Sequence, residues 1–332
     1  MSVPHDARRF ALAFVAVTVL VCVVGGMGSA YTLTVMSQVG VFALATLGLT
    51  ILVGYAGQIS FGHTLFLGLG GYMSALATTT WGLSPLVGVA IGIAASVVAA
   101  VVIGWPTLKL RGHYLAMATF AVGLGFYAVA ADTKVFNGFQ GIAGIPPMSV
   151  LGVEFADVVS RYFLVWAVTM LGVLAAWRLR RMRFGRSLRM VARDEAAAAA
   201  VGIDVHRQKL AAFVASAVFV SIAGSLQVHI TPFASPENYS FPVIIQLFVM
   251  LFIGGLGSVW GALLGSLIVI GLPELLGGFG NYEPVIYGFL LLAILITRPA
   301  GLAAPLSPTA RHALKRRIGG ARVARTPQEA GA

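Results

Sequence analysis

Charge is what this sequence has least of: Asp, Glu, Lys and Arg make up only 10% of its 332 residues. An ordinary soluble domain carries about 25% charged residues. A chain this poor in charge cannot cover a water-facing surface, which excludes a soluble globular fold. Acidic residues are the scarcer sign, 11 against 22 basic ones. Cysteine occurs once, at Cys22, so there is no internal disulfide framework and the redox compartment is not readable. No lysine precedes a serine or threonine, so the phosphate-binding loop G-x-x-x-x-G-K-S/T is absent. If the chain drives a solute uphill, the energy comes from another subunit.

What fills the sequence instead is apolar. Hydrophobic residues reach 58%, and the mean hydropathy is +0.92. The expected fold class is all-α, a polytopic membrane protein. A hydrocarbon core of about 30 Å takes ~20 residues per helical span, so the length allows about ten. Ten apolar segments are read: Phe10–Ala30, Leu33–Val53, Ile59–Thr80, Leu86–Trp105, Tyr114–Ala131, Tyr162–Trp177, Leu210–Ile230, Phe241–Ile253, Val259–Leu276 and Tyr282–Thr297. The eighth and ninth also read as one long helix broken at Gly254-Gly255-Leu256-Gly257.

The basic residues decide between those readings. They cluster at Arg8 and Arg9, at Lys109 and Arg111, from Arg178 to Lys209, and from Arg298 to Arg325. Placing all four clusters in the cytoplasm puts twenty of the 22 inside, as the positive-inside rule asks. Only Lys134 and Arg161 fall outside, in a loop that also holds Asp132, Glu154 and Asp157. Keeping Lys209 and Arg298 on one side needs an even number of crossings, and fusing the eighth and ninth segments would leave an odd one. The expectation is therefore about ten transmembrane helices with both termini cytoplasmic. Residues 1–9 form the cytoplasmic N-terminus, 10–298 a transmembrane domain with a cytoplasmic loop at 178–209, and 299–332 a disordered basic tail. Basic tails suit anionic headgroups, so membrane lipid is an expected partner and nucleic acid is not, despite the net charge of +11. Arg8-Arg9, the apolar run and Gly28-Ser29-Ala30 also resemble a cleavable signal peptide. The run is long for that role, and an uncleaved first helix is preferred.

Many of the 40 glycines concentrate in two stretches. One is Gly54-Tyr55-Ala56-Gly57-Gln58-Ile59-Ser60-Phe61-Gly62-His63, the other Gly254-Gly255-Leu256-Gly257-Ser258-Val259-Trp260-Gly261. Close helix packing in lipid is the ordinary use of such glycines. Paired Gly-interrupted segments also point to a transport path, where non-helical backbone lines a cavity. With the polar residues nearby they give a candidate translocation path of Gln38, Gly54, Gly57, Gln58, Ser60, His63, Gln246, Gly254 and Gly257. His63 alone reads more readily as a packed polar residue than as a ligand. Ionisable groups near the midplane, usual in ion-driven transporters, are missing, since Glu274 and Asp132 sit at segment ends. Neither a catalytic cluster, a metal-ligand set nor a cofactor motif is found, so no enzyme is expected.

The longest inside loop holds Arg183-Phe184-Gly185-Arg186 and, further on, Arg193-Asp194-Glu195, five alanines, Val201 and Gly202. Strong helix formers predict one short surface helix after Gly185, stopped at Gly202. Arg186, Arg189 and Arg193 make a basic stripe, and small apolar residues line another face. Asp194 and Glu195 have no basic partner one turn away, so their charges are expected to be free for another protein. An alanine face anchors poorly in lipid because affinity scales with buried apolar area. A groove in a partner protein suits it better.

Several of these runs together resemble the LivM-type permeases of ATP-binding-cassette importers for branched-chain amino acids. They are the Gly54–His63 run, Lys109-Leu110-Arg111-Gly112-His113-Tyr114 continuing to Thr119, Gly138 to Pro146, Phe184-Gly185-Arg186 with Glu195-Ala196-Ala197 to Gly202-Ile203-Asp204, and Gly254 to Ser258. The resemblance covers about Leu33 to Pro299. It implies a related second permease subunit forming a heterodimer, two ATPase subunits and a periplasmic substrate-binding protein. It implies a place in the bacterial cytoplasmic membrane, and ATPase coupling through Arg193, Asp194, Glu195, Ala196, Ala197 and Gly202. The importer motif places a glycine six residues after its Glu; here Gly202 is seven on, and no Leu-Pro pair follows in the loop. A permease for urea or short amides, and a secondary transporter needing no ATPase, are the alternatives.

Overall fold

The computed structural model describes residues 3–110, 112–150, 152–276, 288–289, 291–293, 296–297 and 301–303. But for those few positions, the tenth expected span and the basic tail lie outside them. Among the described residues, nine apolar helices stand where the first nine spans are expected. They are α1 (Val3–Met27), α2 (Ala30–Leu49, continued by a π-helical turn Thr50–Tyr55), α3 (His63–Thr79), α4 (Pro85–Thr107), α5 (His113–Asp132), α6 (Val158–Arg181), α9 (Val205–Ile230), α10 (Phe241–Gly254) and α11 (Val259–Leu276). Two short helices, α7 (Arg183–Arg193) and α8 (Glu195–Ala200), fill the loop between α6 and α9. Among the described residues, six helices are long and apolar enough to cross a membrane. The chain is an all-α, multi-pass membrane protein.

Helix ends differ from the apolar windows for a local reason. Polar residues that cap and extend helices are invisible to hydropathy. Asp157 accepts the Ser160 amide at 2.9 Å, so α6 starts at Val158 rather than Tyr162. Asp204 accepts the Arg207 amide at 3.0 Å and starts α9 at Val205 rather than Leu210. In the opposite sense, α3 begins only at His63, because the chain from Gly57 to Gly62 leaves the helix.

Burial sorts the helices into a centre and a rim. In their most apolar windows α2 is 83% buried and α9 67%, against 17% for α1 and 22% for α4. The α1 side chains Leu12, Val15, Val19 and Leu20 point outward, as an apolar rim does when lipid is the solvent. On α4 the residues turned inward are Gly88, Gly92, Ser96, Ala100 and Gly104, one every fourth position. That stripe lets the α4 backbone approach α3 and α9, the close packing that holds helices together in lipid. A β-carbon at Gly224 of α9 would fall inside the Leu67 carbonyl of α3. Hydrogen bonds add to the packing: Tyr162 Oη donates to the Val21 carbonyl at 3.0 Å, and Thr169 Oγ1 to the Gly40 carbonyl at 3.0 Å. Such bonds contribute roughly 0.6 kcal/mol each in a membrane.

The helices α3 and α9 run parallel. His63 meets Ser216, Gly70 meets Ser225, and Ser74 meets His229, in the same order along both chains. Short strands close one end of the bundle: β1 (Ile142–Ala143) pairs antiparallel with β4 (Phe233–Ala234), and β2 (Ser149–Val150) with β3 (Val153–Glu154).

The loop helix needs correction. It is two helices, not one, and Gly185 lies inside the first. Asp194 breaks the run by turning its carboxylate onto the amides of Ala196 and Ala197, at 2.9 and 3.0 Å.

Candidate functional site

Of the expected path residues, Gln38 and Gln246 are brought together. They line a cavity of about 470 Å³ among α2, α9, α10 and α11, at the end of the bundle remote from α7 and α8. Gln38 lies eight residues into α2, some 12 Å along the axis. Further polar walls come from Gln227 and Thr231 at the end of α9, and from Glu237 and Asn238 just before α10. Phe42, Val243, Val269 and Ile270 supply an apolar side. The Gln227 amide oxygen is shielded from solvent and has no hydrogen-bond partner among the described residues. Beside the cavity, Tyr31 hydrogen-bonds the Glu274 carboxylate and ties the start of α2 to the end of α11.

The glycines sit elsewhere, at the opposite end of α2. A β-carbon at Gly54 would lie 2.6 Å from the Gly257 amide nitrogen, and one at Gly57 3.2 Å from the Ala192 side chain in α7. Gly254 packs backbone to backbone against Gly261. Gly57 and Gly257 both have positive φ, 67° and 77°, a region other residues rarely occupy. This is a tight junction of α2 with the α10–α11 turn and with α7.

Gln58, Ser60 and His63 are buried beside that junction. Gln58 Nε2 donates to the Ala56 carbonyl at 3.2 Å. His63 Nδ1 faces the Ser60 carbonyl at 3.2 Å and Nε2 the Ser216 hydroxyl at 2.8 Å. Ser216 Oγ also donates to the Gly48 carbonyl at 2.7 Å, so the imidazole joins a chain of bonds from α3 through α9 to α2. His229 likewise sits between a carbonyl and a hydroxyl at the cavity end, those of Pro146 and Ser74. Both rings bridge helices, and among the described residues no group of three His, Cys, Asp or Glu could hold a metal ion.

In the loop, Arg193, Asp194, Ala196 and Ala197 are exposed. Neither acidic side chain is free, contrary to the expectation. Asp194 caps α8, and Glu195 pairs with Lys209 of α9 at 2.5 Å. Lys209 is 4% exposed and Glu195 33%, so the ion pair fixes α8 to a central helix. Gly202, at φ 83°, ends α8 with a Schellman turn: its amide bonds Ala199 and that of Ile203 bonds Ala198. Arg180 lies over the Tyr55 ring at 5.9 Å, a contact between the α6 end and the π-helical turn.

Sequence reasoning missed Gln227, Thr231, Glu237, Asn238 and Lys209. A local signal existed for the first two, which are four residues apart, one in the last turn of α9 and the other its C-cap. The others meet their partners only across the fold.

Comparison with known proteins supplies the context. A family model described as "Branched-chain amino acid transport system / permease component" matches residues 31–297. The high-affinity branched-chain amino acid transport system permease protein LivM of Escherichia coli is 30% identical, over 94% of this chain and 78% of that protein. LivM of Salmonella typhimurium is 29% identical over 85% of this chain and 71% of that protein. The permease protein LivH of the same Escherichia coli system type is 30% identical over 44% of this chain and 48% of its own length. No solved structure matches.

Proposed function

The chain belongs to the family of branched-chain amino acid transport permease components, and from that premise we propose how it works within an importer. It is one of two related permease subunits, as the similarity to both LivM and LivH supports. It carries branched-chain amino acids inward across the bacterial cytoplasmic membrane by alternating access. Two ATPase subunits supply the energy and a periplasmic binding protein delivers the cargo. The relatives' names do not favour urea or short amides as cargo, nor a transporter that works alone.

Ten spans with both termini cytoplasmic remain the preferred topology. Its support is that α3 and α9, the third and seventh spans, run parallel, as two odd-numbered crossings must. Residues 10–298 then form the transport domain, 1–9 and 299–332 its cytoplasmic ends. The cavity faces outward and the glycine junction inward. Gln38 and Gln246 belong to the outer part of the path. Gly54, Gly57, Gly254 and Gly257 form the inner closure, with Gln58, Ser60 and His63 buried behind it.

The observation that carries the reading is α8. It is a single capped turn and a half of helix that presents Ala196, Ala197, Ala199 and Ala200 to solvent, with Val201 64% exposed beside them. A small, smooth, exposed helix end at the basic face fits a groove in an ATPase, and it hangs from α9 through Glu195 and Lys209. Replacing Ala197 with Trp is expected to leave the permease folded and to cut ATP-driven uptake by tenfold or more in the reconstituted complex. Leucine uptake by liposomes that hold the permeases without any ATPase subunit would overturn the proposal.

A further inference from the structure

The cavity carries more information than its position. Its walls divide by chemistry. One carboxylate, Glu237, lines it, and four side-chain amides do, from Gln38, Gln227, Asn238 and Gln246. Opposite them stands the aliphatic and aromatic patch of Phe42, Val243, Val269 and Ile270. Among the described residues, no Lys, Arg or His lines it.

These polar groups are not used up by the fold. Among the described residues the Glu237 carboxylate makes no hydrogen bond or ion pair, unlike its neighbour Glu274, which Tyr31 engages. The side chains of Gln38, Asn238 and Gln246 have no hydrogen bond there either, and the Gln227 oxygen is shielded without a partner. A buried amide without a partner costs stability, and folds normally remove that cost. Here the Gln227 oxygen is such a group, and it stands at a space that half-buried Asn238 and Gln246 and exposed Gln38 and Glu237 also line. At about 470 Å³ it falls within the size range of small-molecule pockets, roughly 300–1,000 Å³.

From this arrangement, and resting on the importer reading above, we propose that the cavity is a binding station for the amino acid itself, held as a zwitterion. Glu237 receives the ammonium group. The amide N–H groups of Gln38, Asn238 and Gln246 receive the carboxylate, which meets no cation and is therefore held by dipoles alone. The aliphatic side chain lies on Phe42, Val243, Val269 and Ile270. With one negative charge and no positive one in its wall, the station disfavours acidic amino acids. A neutral amide cargo could donate a hydrogen bond to Glu237 but would lack the ion pair. Specificity for a small aliphatic zwitterion thus exists in the permease as well as in any delivery protein.

The test uses the complete transporter in proteoliposomes, with labelled leucine. E237Q, which keeps the shape and removes the charge, is expected to lower leucine uptake at least tenfold, and E237D to recover part of it. Uptake by E237Q at the wild-type rate would overturn the proposal. A second measurement does not depend on that variant assembling. In a C22A background, which removes the chain's one cysteine, Q38C is labelled from outside by a membrane-impermeant thiol reagent. Leucine delivered by the binding protein is expected to slow labelling several-fold; equal rates with and without leucine would overturn the station. Failure of the importer reading looks different: the wild-type complex itself would then move no leucine.

Discussion

Gln38 and Gly54 lie on one helix, about 24 Å apart along its axis, and the two ends of α2 are built on opposite principles. At the cavity end, polar side chains crowd a space that none of the described residues fills. At the loop end, backbone meets backbone with no side chain between, as Gly54 against Gly257 and Gly254 against Gly261. Both ends look alike in sequence, as polar or small residues interrupting apolar runs. The difference is whether neighbouring elements arrive with side chains or without them. A path needs both: a place that accepts a solute and a seal that excludes it.

The largest expected effect separates these ends directly. G54V puts a branched side chain where a β-carbon already lies 2.6 Å from backbone. Overpacking of this kind costs about 3 kcal/mol or more when backbone must move. The expected outcome is a large fall in the thermal midpoint of the purified permease, or loss of the folded protein. Q38L, at the other end, breaks no bond within the described residues and is expected to leave the midpoint nearly unchanged. Equal destabilisation by the two would mean that the cavity end is packed as tightly as the junction.

A smaller effect tests how the junction end is joined to the loop. Lys209 is buried and Glu195 only partly so, which predicts an asymmetry. E195Q strands a buried cation, whose penalty can reach ~3 kcal/mol, reduced here because water reaches the site through the exposed Glu195. K209M leaves a carboxylate that can turn to solvent, and is expected to cost under ~1 kcal/mol. The double variant removes both charges and is expected to recover most of the loss, a coupling read from a double-mutant cycle of thermal midpoints. Additive single effects would show that the pair does not hold α8 to α9.

The helices were legible from hydropathy, and the break between α10 and α11 from charge parity. The central place of α2 and α9 was not, because hydropathy does not track burial: both are less apolar than α1 and α4, yet about as apolar as the little-buried α5 and α6. Hydropathy also blurs helix ends, where Asp157 and Asp204 act through hydrogen bonds. For the site, Gln38 and Gln246 stood out as polar residues within apolar runs. Glu237 did not, since a carboxylate in a loop reads as solvated until the fold sets it against a cavity. Lys209 and Glu195 lie fourteen residues apart, across a turn. A search for partners one helical turn away cannot see such a pair, and so it left Glu195 looking free. The break at Asp194 was hidden by strong helix formers on both sides, although an Asp before Glu-Ala-Ala is a capping signal.

That cap gives the smallest and most local test. A helix of six residues has too few internal hydrogen bonds to stand alone, so α8 depends on its ends. Asp194 holds the first turn, the Schellman turn at Gly202 holds the last, and the Glu195–Lys209 pair anchors the whole to α9. D194A removes only the first of these, at about 1 kcal/mol. The Ala196 and Ala197 amides should then exchange with solvent deuterium roughly fivefold faster, while the global thermal midpoint moves little. If D194A lowered the midpoint as much as E195Q, α8 would melt with the bundle instead of separately. The rigidity of the glycine junction would then extend into the exposed loop. If exchange changed only at α8, the loop is a separately held piece that hangs on α9, the helix whose far end carries Gln227 and Thr231 into the cavity.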